Sequence, residues 1–270
     1  MANQIDPTGS NFTYVAAQVG CTSSDKDEEF ACMQSVDASA IIAIYNKYNA
    51  TLNGGLGLSF QPAPDNMTDF SNYADRRARG LFAKVPTVYS SVDNEGASLV
   101  AYNSAGPNQT AVDALTRSIA TCPGAAAALY VLLTNLYIFS VLYQLKAIGI
   151  VFADCTPRSR KAFNVPVWRT RYFGEWPNLN PLPWLHAYHS SDIPMIFGTS
   201  DLRGPDTAAE TTMSKVYQNA WAAFARDPEN ALDKLGWPRY DPEGQTLIKL
   251  GVENSFVPVF AKGNEYDSLC

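Results

Sequence analysis

The 270-residue sequence lacks any long run of basic residues, and its 26 acidic residues outnumber its 20 basic ones. The formal net charge of −6 argues against nucleic acid or an anionic membrane as the main partner and favours a neutral small-molecule substrate. The N-terminal stretch MANQIDPTGS has neither a basic region nor an apolar core, so no signal peptide is predicted. Histidine is also scarce: His186 and His189 are the only two.

Five cysteines are spread along the chain, and only Cys21 and Cys32 lie close enough in sequence to predict a local disulfide loop. Disulfides form in oxidising compartments. Four N-glycosylation sequons also favour secretion, and they begin at Asn11, Asn49, Asn66 and Asn108. Since no signal peptide is predicted, either the chain stays inside the cell or its true N-terminus is missing.

Apolar residues recur at helical spacing in residues 36–49 and again in residues 210–227, so both segments are predicted to be helices. Residues 85–92 and 165–173 are rich in β-branched residues and predict strands. The first strand leads into a turn at 93–96. Strands separated by helices and long loops predict an α/β domain, but the strands are too few for a complete sheet. We therefore expect the sequence to form part of a domain.

The most specific stretch, WLHAYHSSDIPMIFGT, occupies residues 184–199 and follows VPVWRTRYFGEWPN at 165–178. These residues resemble the C-terminal half of the type-B carboxylesterase/lipase family of the α/β-hydrolase fold, which includes cholinesterases and many fungal esterases. In that family the catalytic histidine lies in the pattern A-x-H-x-x-[ED]-[IL]-x-x-[VI]-F-G. His189 matches the histidine of this pattern, and His186 does not.

The acid of the family's catalytic triad lies in a D-x-E-[GA] turn after a strand that begins with V-P. The turn at 93–96 follows Val85-Pro86, so the resemblance implies that Glu95 is the acid. The order of Glu95 before His189 agrees with this fold. Histidine suits the chemistry because it exchanges a proton near neutral pH, while a carboxylate fixes its tautomer. Without the flanking motifs, the two residues would be read as a structural histidine and a solvated turn.

The resemblance covers almost the whole chain, so residues 1–270 are expected to form a partial carboxylesterase domain with an incomplete α/β-hydrolase fold. Segments 219–225, 235–240 and 245–251 resemble the family's C-terminal helix and closing hairpin. The residues around Cys21 and Cys32 resemble its small disulfide loop. The resemblance implies a carboxylic ester substrate and neither a metal nor an organic cofactor.

The sequence contains no Gly-x-Ser-x-Gly motif, the elbow that carries the serine nucleophile of this fold, and no glycine-rich oxyanion segment before Cys21. The nearest string, YNSAG at 102–106, lacks the first glycine and follows Glu95 instead of preceding it. We therefore expect this chain to be inactive alone. Two alternatives remain open: a non-catalytic adhesion or binding homologue, and a nonfunctional gene fragment.

Residues 129–157 do not fit the resemblance. This insertion opens with LYVLLTNLYIFSVLYQL, which carries no charge for 17 residues. A transmembrane helix is disfavoured because Asn135 and Gln144 are costly in lipid and because a membrane helix would separate strands that must pair. The favoured interpretation is a translated intron, since its removal would bring CPGAAAA at 122–128 next to SRKAFNVPVWR and restore the spacing of the family.

Overall fold

The computed structural model describes most of the chain and divides it into two compact units, Met1–Tyr73 and Ala74–Cys270. The described residues are 9–50, 58, 60, 64–95, 102–103, 106–107 and 156–266. The predicted insertion lies mostly outside them, at 129–155, and its last two residues begin a helix. Within the described ranges, no helix is both long enough and apolar enough to cross a bilayer.

The described part of the first unit is mostly helical. Its helices are α1 (Ser10–Gln18), α2 (Lys26–Gln34) and α3 (Ala38–Ala50). The disulfide between Cys21 and Cys32 is present and joins the chain before α2 to α2 itself. A small buried cluster forms the core of this unit, and it contains Val15, Ala16, Cys21, Met33 and Leu58.

The helix predicted at 36–49 is confirmed by α3. Asp37 precedes it, and its side chain accepts a hydrogen bond from the backbone N–H of Ser39 at 2.8 Å. A short acidic side chain just before the first turn satisfies a backbone N–H that has no partner inside the helix.

The second unit is built on a mixed sheet. Its strands are β1 (Thr87–Val92), β4 (Val167–Tyr172), β5 (Gln245–Leu250) and β6 (Val259–Lys262), and they lie in the order β1-β4-β5-β6. The first three are parallel, and β6 pairs antiparallel with β5. Two short strands, β2 (Tyr102–Asn103) and β3 (Gly106–Pro107), pair separately.

The described helices of the second unit include one long helix and several short ones. They are α4 (Tyr73–Ala78, which begins in the first unit), α5 (Thr156–Ala162), α6 (Ile193–Phe197), α7 (Ala208–Arg226) and α8 (Ala231–Lys234). Short 3₁₀ turns lie at Pro183–Leu185, Ser200–Arg203 and Val252–Asn254. The helix predicted at 210–227 is confirmed by α7, which starts two residues earlier.

A capping box explains that earlier start. Thr207 accepts a hydrogen bond from the N–H of Glu210 at 3.1 Å, and the Glu210 carboxylate accepts one from the N–H of Thr207 at 3.2 Å. The buried face of α7 carries Met213, Tyr217 and Ala220, which pack on the sheet in one hydrophobic core. The helix therefore covers the strands with its apolar stripe.

Parallel strands covered by helices place the second unit in the α/β class, as predicted. The four strands of the larger sheet are consistent with part of an α/β-hydrolase sheet. Because β1, β4 and β5 are parallel, their carboxyl ends meet at one edge. In open α/β sheets this edge is where ligands bind, so the loops that follow these strands are the place to look for a site.

Candidate active site

Glu95 lies in the turn directly after β1, at the carboxyl edge of the sheet. Its two carboxylate oxygens have different partners. Oε1 accepts a hydrogen bond from the backbone N–H of Val92 at 3.0 Å, and Oε2 lies 2.6 Å from Nδ1 of His189. The side chain of Glu95 is 15% exposed. The backbone thus fixes one oxygen of the carboxylate while the other faces the imidazole.

His189 lies in the turn that precedes α6, and its side chain is 52% exposed. A carboxylate beside Nδ1 favours the tautomer that carries its proton on Nδ1 and its lone pair on Nε2. Among the described residues, no side chain donates a hydrogen bond to Nε2. Nε2 is therefore the ring nitrogen that keeps a lone pair for a further hydrogen bond.

The two segments that carry these side chains are joined by hydrogen bonds next to the pair. Asn94 donates from its backbone N–H to the carbonyl of Ala187 at 2.8 Å and from Nδ2 to the carbonyl of Leu185 at 3.1 Å. It also forms an isolated parallel bridge with Tyr188. Sequence reasoning did not identify this role of Asn94, because its partners lie about 90 positions further along the chain.

A second carboxyl group lies within electrostatic range of the pair. Asp192 follows His189 by three residues, at the [ED] position of the family pattern. Burial raises the pKa of Asp192, and the charge of Glu95 raises it further, while His189 opposes the shift. The group therefore favours its neutral form more strongly than an exposed aspartate does.

Buried aromatic residues pack beside the acid turn. The carbonyl of Tyr172, the last residue of β4, accepts a hydrogen bond from the N–H of Asp93 at 2.8 Å. The Tyr172 hydroxyl accepts one from Nε1 of Trp176 at 2.6 Å, and its ring lies 5.6 Å from that of Tyr217. Burial raises the pKa of both Tyr172 and Tyr217, so both phenols stay neutral.

The second histidine also has a carboxylate partner. Nδ1 of His186 lies 3.0 Å from Oε1 of Glu175, and Asn254 holds the backbone of Glu175 with two hydrogen bonds. The carboxylate of this pair is more exposed than Glu95, at 44% for the Glu175 side chain, whereas the His186 side chain is less exposed than that of His189, at 33%. Sequence reasoning did not identify Glu175. His186 thus offers a matched control for His189.

The four predicted sequons have different surroundings. Asn66 lies exposed in a turn, with φ at 58°. Asn11 lies within α1, and the hydroxyl of Thr13 in its sequon is bonded to Lys26 and Glu29. The other two sequons, at Asn49 and Asn108, have side chains outside the described set. Across the described ranges, no three His, Cys, Asp or Glu side chains cluster as a metal site requires.

A parallel sheet with a glutamate and a histidine on the loops at its carboxyl edge is consistent with the α/β-hydrolase fold. The model of the Carboxylesterase family matches residues 109–268, which is more than half of the chain. The chain belongs to this family.

Three curated relatives share this kinship. The chlorogenic acid esterase of Aspergillus niger is 33% identical over 98% of this chain and 46% of its own length. Secreted lipase 5 of Gibberella zeae is 30% identical over 93% of this chain and 44% of its own length. The para-nitrobenzyl esterase of Bacillus subtilis is 26% identical over 73% and 40%. The chain spans about half the length of the curated relatives it matches.

Proposed function

We propose that Glu95 and His189 are the acid and the base of a Ser-His-Glu triad that hydrolyses a small-molecule carboxylic ester. The serine would come from sequence outside these 270 residues, so the chain alone would be inactive. The hydrogen bond of 2.6 Å between Glu95 and His189 is the observation that carries this proposal. A carboxylate held by the backbone on one side and by an imidazole on the other is what the triad requires.

The chemistry follows from the two ring nitrogens of His189. Nε2 would take the proton of the serine hydroxyl as the serine oxygen attacks the ester carbonyl, and an acyl-enzyme would form when Nε2 returns the proton to the leaving alcohol. Water would repeat these steps and release the acid. Glu95 would keep the imidazole in one orientation and stabilise its positive charge.

The serines next to His189 do not suit the nucleophile. Ser190 and Ser191 follow it directly, but neither hydroxyl bonds to Nε2, and Ser191 is only 5% exposed. The sequence also has no Gly-x-Ser-x-Gly elbow. The strained elbow is needed because it presents the serine to the histidine from another strand-to-helix turn.

The proposal also includes the ester substrate, the secretion, the partial domain and the origin of the insertion. The names of the relatives, an esterase of chlorogenic acid and a secreted lipase, support an ester substrate and secretion. The disulfide between Cys21 and Cys32 agrees with an oxidising compartment. We further propose that residues 1–270 form a partial carboxylesterase domain and that 129–157 is an insertion of translated intron sequence.

The experiment compares the chain alone with a fusion in which an upstream half from the Aspergillus niger relative supplies the serine elbow. The chain alone is expected to hydrolyse an activated ester no faster than its His189→Ala variant. The fusion is expected to turn over the ester, and its Glu95→Gln variant to lose about 10³–10⁴-fold in kcat. An active fusion that keeps full activity with Glu95→Gln would overturn the proposal.

A further inference from the structure

Asn94 is a neutral polar residue that is completely buried, with 0% exposure, beside a carboxylate that the proposed mechanism uses. A buried amide is costly unless it is hydrogen-bonded. Its Nδ2 is bonded to the carbonyl of Leu185, and its backbone N–H is bonded to the carbonyl of Ala187. Both acceptors lie just upstream of His189.

These two hydrogen bonds join segments that share no ladder among the described strands, and the bridge between Asn94 and Tyr188 is an isolated one. Glu95 and His189 are 94 positions apart in sequence, and β1 pairs with β4, which does not carry the histidine. The distance between the carboxylate and the imidazole is therefore set where the two loops touch. A hydrogen bond weakens steeply as its length and angle depart from the optimum, so a small slip between the loops would disrupt the pair.

We propose that Asn94 is a positioning residue: it fastens the turn that carries Glu95 to the segment that carries His189. The inference rests on the proposed function, because it concerns the same pair. The side chain acts through its Nδ2, which donates the hydrogen bond to the carbonyl of Leu185. The other amide atom, Oδ1, is buried and accepts no hydrogen bond from the described residues.

The variant Asn94→Asp tests this donor because it keeps the size of the side chain but replaces the NH₂ group with an oxygen that faces the Leu185 carbonyl. A second variant, Asn94→Ser, removes the amide without adding a charge. The matched control is Asn178→Ser, which makes the same change at a half-buried asparagine of a different loop contact. Nδ2 of Asn178 donates to the carbonyls of Ser200 and Gly204 at 3.2 Å each and to the carboxylate of Asp206 at 3.1 Å.

The readout is the low-field proton NMR signal of the histidine Nδ1–H groups in the full chain. Two histidines give at most two such signals, and His186→Gln assigns them. We expect the His189 proton to be protected from solvent exchange in the wild-type chain and in Asn178→Ser. In Asn94→Asp and Asn94→Ser it should exchange about tenfold faster or disappear, the factor that corresponds to one lost hydrogen bond.

An unchanged His189 signal in a folded Asn94 variant would overturn the positioning role. The fusion described above gives a second measurement if a variant of the chain alone does not fold. There Asn94→Ser should lower kcat about tenfold with KM nearly unchanged, while Asn178→Ser should leave kcat unchanged. If Glu95→Gln abolishes turnover and Asn94→Ser does not affect it, the positioning role fails and the triad stands. If neither variant affects turnover, the proposed function fails.

Discussion

The guanidinium of Arg171 donates from Nη2 to the backbone carbonyl of Asp93 at 2.9 Å, and its centre lies 3.9 Å from the middle of the Tyr266 ring. The same nitrogen lies 3.4 Å from the carboxylate of Asp93. Arg171 is only 2% exposed, and its Nε and Nη1 have no hydrogen-bond partner among the described residues. A buried cation on β4 thus holds the turn that leads to Glu95.

We predict that Asp93→Asn destabilises the protein more than Arg171→Met does. Asp93→Asn leaves a guanidinium that cannot lose its proton buried without a counter-ion, at a cost of about 3–5 kcal/mol. Arg171→Met leaves a carboxylate, which can take up a proton instead. Urea unfolding of both variants checks this order.

The control for that pair is Asp75→Asn. Asp75 and Arg79 also form an ion pair, at 3.3 Å, but both side chains are more than half exposed. An exposed pair contributes less than about 1 kcal/mol, so this variant should unfold close to the wild-type midpoint. Equal effects of Asp75→Asn and Asp93→Asn would contradict the importance of burial.

The burial of Asp192 predicts how stability depends on pH. Its pKa is raised above the ordinary value of 3.8, so the folded state binds more protons than the unfolded state between the two pKa values. This group therefore favours folding at low pH, and its contribution is lost as the pH rises through the raised pKa. Relative to the wild type, Asp192→Asn should become more stable as the pH is raised from about 4 to 7.

Asp241→Asn provides a control of opposite sign in the same unit. A hydrogen bond from Lys161 lowers the pKa of Asp241, so this carboxylate stabilises the fold above its ordinary pKa of 3.8 and loses that effect as the pH falls. Asp241→Asn should therefore be least harmful at low pH. The same pH trend for both variants, followed by urea midpoints, would be inconsistent with the assigned environments.

The features of the fold and of the site that could be predicted from the sequence are those whose interacting residues lie close together along the chain or belong to a family motif. Helix α3 and strand β1 follow from local periodicity and β-branched residues, and the family motifs identified Glu95 and His189. In β4, alternation alone suggests that Arg169 and Arg171 face solvent, yet all six residues of the strand are buried. The strand lies between β1 and β5, and the two arginines bond to residues 94 and 78 positions away. No local pattern encodes such partners.

The capping hydroxyl of Thr207 at the start of α7 is expected to contribute modestly to the stability of the protein. Thr207→Ala removes the acceptor for the Glu210 N–H and should lower stability by about 1 kcal/mol. Thr212 lies inside the same helix, and its exposed hydroxyl donates only to the carbonyl of Ala208 at 2.8 Å, so Thr212→Ala is the control. That variant should be neutral or slightly stabilising because alanine has the higher helix propensity. Thermal unfolding distinguishes the two, and equal melting temperatures would argue against the capping box.

The surroundings of the sequons predict which asparagine carries a glycan when the chain is secreted from a eukaryotic cell. Asn66 is exposed in a turn, whereas Asn11 lies within a helix that packs against its neighbours. Glycan acceptors lie on accessible surface loops. Enzymatic deglycosylation in heavy-oxygen water, followed by peptide mass spectrometry, should mark Asn66 and not Asn11. Label at Asn11 alone would contradict this choice.

The pairing of His189 with Glu95 as the proton-transfer site is the central claim, and the most direct test is how fast a fluorophosphonate probe labels the elbow serine of the fusion. Labelling requires the serine to be activated by its histidine but does not require turnover of an ester. His189→Ala should slow labelling by about 10³-fold or more, whereas His186→Ala, which removes the histidine paired with Glu175, should leave the rate nearly unchanged. Equal rates for His189→Ala and the unmodified fusion, or a loss caused by His186→Ala instead, would contradict the account.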